Sequence, residues 1–163
     1  MKQIDDFSLE KHEGPYETWP RRTRLYCRGR DTGVKIPGYI IEAQYTWRQN
    51  YLLITSQDCP FEESNDFILL GPSFKVLARK RLLVPYSSFL LCNHWPVSED
   101  SIRLHYSKRL FFTLTIKNSS CLFWNKFSLV LKRFADFEQD PESRASLDEH
   151  LKNLEAVGEK LRR

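Results

Sequence analysis

The chain has 163 residues, of which 41% are hydrophobic, 13% aromatic and 28% charged, and it carries a net charge of +4. That balance fits one folded domain with its own core and excludes a disordered or low-complexity chain. Every apolar run is broken, by Arg103, Lys108, Lys117 or Lys126 among others, before it reaches the roughly 18 residues of a membrane helix, so no membrane span and no membrane partner are expected.

The opening MKQIDDFSLEKHEGPYETWPRR is polar and acidic and lacks the apolar stretch of a secretory signal. A cytoplasmic location is the resulting expectation. Cys27, Cys59, Cys92 and Cys121 form no CxxC pair and read as reduced, buried thiols. Residues 1 to 20, with Gly14, Pro15 and Pro20 as breakers, read as an irregular acidic arm or a short capping segment.

A β domain is expected over residues 21 to 135. Thr23 to Arg28 suits a first strand, ending at the turn signal Gly29-Arg30-Asp31-Thr32-Gly33. Tyr39, Ile41, Ala43, Tyr45 and Trp47 then alternate with Ile40, Glu42, Gln44 and Thr46, which is the period of a strand with two unlike faces. Arg48-Gln49-Asn50 joins it to Tyr51 to Thr55 as a hairpin with a three-residue connection. The second strand is apolar on both faces at Leu52, Leu53 and Ile54, so it belongs in the middle of a sheet.

After the polar break 56 to 65, Phe67 to Leu70 and Phe74 to Ala78 form a second hairpin around Gly71-Pro72-Ser73. Pro85 holds Val84 extended, and Ser87 to Asn93 fits a strand or a short helix. Ser101 to Tyr106, Leu110 to Lys117 and Cys121 to Lys132 complete nine predicted strands, with Asn118-Ser119-Ser120 as the turn between the last two.

Residues 136 to 163 change texture. Asp140-Pro141-Glu142 supplies a capping acid, a proline suited to the first helical position and a carboxylate at the positive end of the helix dipole. Leu147, Leu151, Leu154 and Leu161 form one apolar stripe at helical spacing. The stripe packs on the sheet, or pairs a homodimer through the helix; a narrow stripe of this length favours the sheet. The fold class is therefore mainly β, a curved antiparallel sheet or barrel-like sandwich with one C-terminal amphipathic helix.

Charge is strongly segregated. Net charge is −3 over residues 1 to 20, +5 over 21 to 35, −4 over 36 to 66, +9 over 67 to 133 and −3 over the tail. Arg79, Lys80, Arg81, Lys108 and Arg109 are candidate phosphate or partner contacts, with Trp47, Trp95 and Trp124 as aromatic ones. Tyr106, Phe111 and Phe112 lie near the cations in sequence and offer stacking faces or core bulk.

Asp58, Cys59, Glu62 and Glu63 gather on one polar loop, where Cys59 with His94 or His105 as base would make a hydrolase site. Cys92, His94 and His105 begin a zinc set without the fourth ligand a structural site needs, so no metal is expected. Tyr39, Tyr45, Trp47, Trp95, Phe112 and Trp124 either line or fill the interior of a curved sheet.

No GxGxxG, GxxxxGK[ST], GxSxG or HExxH is present, and no cofactor is expected. The leading expectation is a non-catalytic module that binds another protein through a charged, aromatic-dotted sheet face. Nucleic-acid binding is the first alternative, and small-ligand binding or hydrolysis at the 58 to 63 loop the second.

Overall fold

The alternating segment becomes β5 (Ile40–Trp47), which turns into β6 (Asn50–Ser56) through Arg48 and Gln49 alone. Trp47 pairs with Asn50, so the connection is two residues and not three; Arg48 takes a left-handed φ of 54° to close it. A register shift between Ile41 and Ala43 divides the strand. The extra residue swaps the faces, so Ala43, Tyr45 and Trp47 enter one core while Ile41 packs against another. The uniform face expected from Tyr39 to Trp47 is thus split in two.

In the computed structural model, residues 1–57, 64–83, 90–107, 109–121 and 124–160 are described, except the side chains of 120, 121, 124, 125 and 158–160. The further strands are β1 (Lys2–Gln3), β2 (Phe7–Leu9), β3 (Thr23–Cys27), β4 (Arg30–Ile36), β7 (Ser64–Leu70), β8 (Val76–Leu83), β9 (Leu91–Ser98), β10 (Ser101–Tyr106), β11 (Leu110–Cys121) and β12 (Trp124–Phe134). All pairings among the described residues are antiparallel, in the orders β1-β5-β6-β7-β8, β12-β11-β10-β9 and β2-β3-β4. The molecule is mainly β with one C-terminal helix, the class its periodicities predict.

The five-stranded sheet is the middle layer. Leu52, Ile54, Phe67 and Leu69 pack with Ile102, Leu104, Tyr106, Leu114, Ile116 and Leu129 of the four-stranded sheet. From its opposite face, Leu53, Ile68 and Leu70 pack with Phe7, Leu25 and Ile36 of the three-stranded sheet. Two covered faces explain why β7 is buried at every position and why β6 has no polar side. Along one side of the sandwich β8 runs beside β12.

Three strands lie where the sequence suggested none. β1 and β2 occupy the arm read as irregular; strands of two and three residues are too short for a visible period. β4 starts inside the stretch read as a turn, because only Arg28 and Gly29 form the reversal, both at positive φ (50° and 76°). Asn118, Ser119 and Ser120 are not a turn either: they pair with Phe127, Lys126 and Asn125 within the long β11–β12 hairpin. The segment Ser87 to Asn93 reaches β9 at Leu91, and residues 84–89 lie outside the described part.

The helix α1 (Pro141–Lys160) begins as its sequence dictates, with Asp140 Oδ2 accepting from the Ser143 backbone at 3.2 Å and from the Ser143 hydroxyl. It docks on β10 by its first half only. Ser143, Ser146 and Leu147 are buried, whereas Leu151, Leu154 and Val157 are 46, 55 and 55% exposed. The expected packing of the whole stripe on the sheet therefore holds at Leu147 and fails beyond it; Leu161 lies outside the described residues. No described helix is long and apolar enough to cross a membrane.

Candidate functional site

The basic strand is less available than its sequence suggests. Arg79 and Arg81 both donate to Asp66, at 2.9 Å from each guanidinium Nε or Nη2, and Asp66 is 1% exposed. Together they neutralise a buried carboxylate that would otherwise be costly to keep ionised, so both guanidinium groups are engaged and one net positive charge is left over. Lys80, on the alternate face of β8, is exposed and makes no ion pair among the described residues. Arg109 pairs with Glu138 at 3.4 Å and lies over the Phe137 ring.

The aromatic candidates divide likewise. Trp47 is 2% exposed, with Nε1 donating to Asp100 at 2.6 Å, and belongs to the core instead of a binding face. Tyr45 and Tyr106 are fully buried and Phe112 packs against the core, so these rings fill the sandwich, while Phe111 is fully buried on the helix face of its sheet between His105 and Phe137; none of the four offers a stacking platform. Trp95 is half-buried opposite Arg103, and Trp124 opens β12. Lys108 and the loop residues Asp58, Cys59, Glu62 and Glu63 lie outside the described residues.

His94 and His105 face opposite sides of their sheet, which separates the expected Cys92, His94, His105 set. His94 pairs with Leu104, a core residue, and its Nδ1 lies 2.5 Å from the Tyr45 hydroxyl across the sandwich. Burial holds the His94 imidazole below its ordinary pKa, against the opposing pull of Glu42, and pushes the Tyr45 phenol up to about 12. His105 pairs with Asn93 and points to α1, where its Nδ1 is 2.8 Å from Ser146 Oγ.

What the structure does bring together is an open groove of about 420 Å³ beside the N-terminal arm. Its floor is Gln44, buried because its amide replaces a ladder partner: Oε1 accepts from Phe7 N at 2.8 Å and Nε2 donates to Phe7 O at 3.1 Å and to Asp5 at 3.4 Å. The rings of Trp19, Tyr39 and His12 line the wall, and Tyr16 packs against the first two. Trp19 lies 5.1 Å from Tyr39 and 5.5 Å from Tyr16, and His12 lies 5.6 Å from both Trp19 and Tyr39.

Each ring is held by its polar handle. Trp19 Nε1 donates to Gly14 O at 3.2 Å, the Tyr39 hydroxyl to Pro20 O at 3.0 Å and the Tyr16 hydroxyl to Gln57 Oε1 at 3.3 Å, while His12 Nε2 lies 3.2 Å from Thr23 Oγ1. Gly38, at φ 94°, lets the chain turn into β5; a Cβ there would sit 2.7 Å from Thr55 Oγ1. That turn and the β5 register shift carry Tyr39 and Ile41 to the groove side.

Asp5, Glu10 and Lys11 bring charge to the groove. Arg24 lies 3.9 Å from Glu10 and offsets part of its charge. No earlier signal marked these residues, because His12, Tyr16 and Trp19 sit in an arm without period and meet Tyr39 only in the folded chain. Comparison with protein-family models, with curated proteins and with solved structures finds no match to this chain.

Proposed function

We propose that the protein is a recognition module for another protein, and that its groove takes one arginine or lysine side chain from an extended segment of that partner. The observation that carries this reading is the convergence of the Trp19, Tyr39 and His12 rings with the Asp5 carboxylate on one open groove. Aromatic faces attract cations by about 0.5–1 kcal/mol when exposed and about 2 kcal/mol when desolvated. Rings already fixed by hydrogen bonds lose little freedom on binding, so more of that attraction appears as affinity. Lys11 at the rim limits the site to a single cation and disfavours a polybasic stretch.

The test is a set of short peptides identical except for one central residue, arginine, lysine or the neutral norleucine, followed by the NMR signal of the Trp19 indole N–H. The cationic peptides are expected to bind about tenfold more tightly than the neutral one, a difference of about 1.4 kcal/mol. Trp19→Ala and Tyr39→Ala should each abolish that preference, and Asp5→Asn should halve it or more. Equal binding of the norleucine peptide overturns the reading, as does a Trp19 signal that no peptide moves.

Nucleic-acid binding has one observation in its favour: Lys117, Lys126 and Lys132 share the outward face of β11 and β12. A single-stranded oligonucleotide therefore belongs in the same titration. If it binds more tightly than every peptide, with affinity falling steeply in salt, the protein-recognition reading gives way.

A further inference from the structure

A second hollow, of about 240 Å³, lies between α1 and the four-stranded sheet, lined by Cys92 and Asn93 of β9 and by Ser146, Glu149, His150 and Asn153 of α1. Its contents follow from a defect in strand pairing. His105 pairs with Asn93 but Tyr106 pairs with Leu91, so Cys92 is the extra residue of a bulge. A bulge re-aims side chains, and here it brings Cys92 to the helix side next to Asn93 where strict alternation would send it inward. Cys92 Sγ lies 4.0 Å from His150 Nε2 and 3.5 Å from the Leu90 carbonyl.

The imidazole is held from behind. His105 meets His150 edge-on at 5.6 Å, stacks on Phe111 at 4.2 Å and 7°, and Phe111 stacks on Phe137 at 4.9 Å. With the 2.8 Å contact between His105 and Ser146, this pile fixes the helical turn that carries His150. Asn93 Oδ1 accepts from His94 N at 2.8 Å, which leaves the Asn93 amide NH2 as its remaining donor.

We propose that this hollow is a nucleophilic site, with Cys92 as nucleophile and His150 as its base, for small polar acyl esters. His150 Nε2 takes the proton from Sγ, and the sulfur attacks the carbonyl carbon, forming the S–C bond as the ester C–O bond breaks. The departing alcohol takes the proton back from His150. Water, deprotonated by the same imidazole, then cleaves the thioester, releases the carboxylic acid and restores the thiol. Asn93 and Asn153 supply amide donors for the carbonyl oxygen as it gains charge.

The experiment uses the full chain with p-nitrophenyl acetate as probe, following nitrophenolate release and locating the acetyl group by mass spectrometry. The acetyl group is expected on Cys92 before Cys27, Cys59 or Cys121, with the Cys92 rate at least tenfold that of Cys27. Cys27 is an apt internal standard, since burial and the neighbouring Asp6 push its thiol pKa up. Cys92→Ser should remove the fast phase, and His150→Gln should slow it about a hundredfold while circular dichroism stays unchanged. Acetylation of Cys92 no faster than of the other thiols overturns the proposal, and this comparison needs no variant that folds. An unaltered rate in His150→Gln overturns it equally.

Discussion

The β8 strand and the N-terminal arm each contribute one side of an Asp–Arg contact, with Asp66 of β7 and with Arg28 of the β3–β4 turn, yet they stand on opposite sides of what a sequence makes visible. Arg79, Lys80 and Arg81 are prominent as a cationic run, but two of the three guanidinium or ammonium groups are held by buried Asp66. Asp6 and Arg28 are inconspicuous among breakers and turns. They nonetheless tie the arm to the β3–β4 turn, through a side-chain pair at 2.9 Å and a bond from Arg28 N to Asp6 O at 2.6 Å. Charge counted along a chain therefore says little about charge left over after folding.

The largest expected effect sharpens that contrast. Arg79→Ala with Arg81→Ala leaves Asp66 buried without its partners, and urea unfolding should show a loss of about 3–5 kcal/mol. A loss below about 1 kcal/mol would mean that the pair is a surface ornament and that β8 is free to bind after all. Replacing all three basic residues is for the same reason a poor test of nucleic-acid binding, because it removes structure along with charge.

Next comes Phe7→Ala, which empties the arm's anchor in the second core, where Phe7 meets Tyr51 and Phe74 edge-on at 5.0 and 5.9 Å. A cost of about 3 kcal/mol is expected in the same assay. An effect near zero would return the arm to the irregular segment its composition suggests.

A smaller effect is linked to pH. The Arg28 guanidinium, chiefly by its hydrogen bond and further by its charge, holds the half-buried Asp6 carboxyl below its usual range against the raising effect of desolvation. A depressed carboxylate adds stability above its unfolded pKa of about 3.9 and loses it as pH falls through the lower folded value. Thermal melts from pH 6 to pH 2 should show Asp6→Asn less stable than the parent at pH 6 and converging with it at the acid end. Smallest of all is Lys80→Ala, expected within about 0.5 kcal/mol of the parent, since no described partner holds that ammonium.

Legibility followed distance along the chain. The cap of α1, Asp140 with Ser143 three residues apart, was readable because the groups that satisfy each other are neighbours. The β5–β6 pairing was readable in outline, but its two-residue turn and the shift at Ile41 were not, since a bulge leaves the apolar period intact while exchanging the faces. Strands of two and three residues gave no signal, so β1 and β2 went unseen, and β4 was hidden because it starts inside the turn signal Gly29 to Gly33.

Sequence alone determined the mainly β class, the central position of the doubly apolar β6 and the capped start of α1, all consequences of local periodicity and backbone chemistry. Only tertiary structure decided which charges are spent, which rings are core and which side chains meet. Tyr39 reaches the groove through the turn at Gly38 and a register shift, and Cys92 reaches His150, 58 residues away, through another. Those placements depend on how sheets pair and stack, and no window of neighbouring residues contains that information.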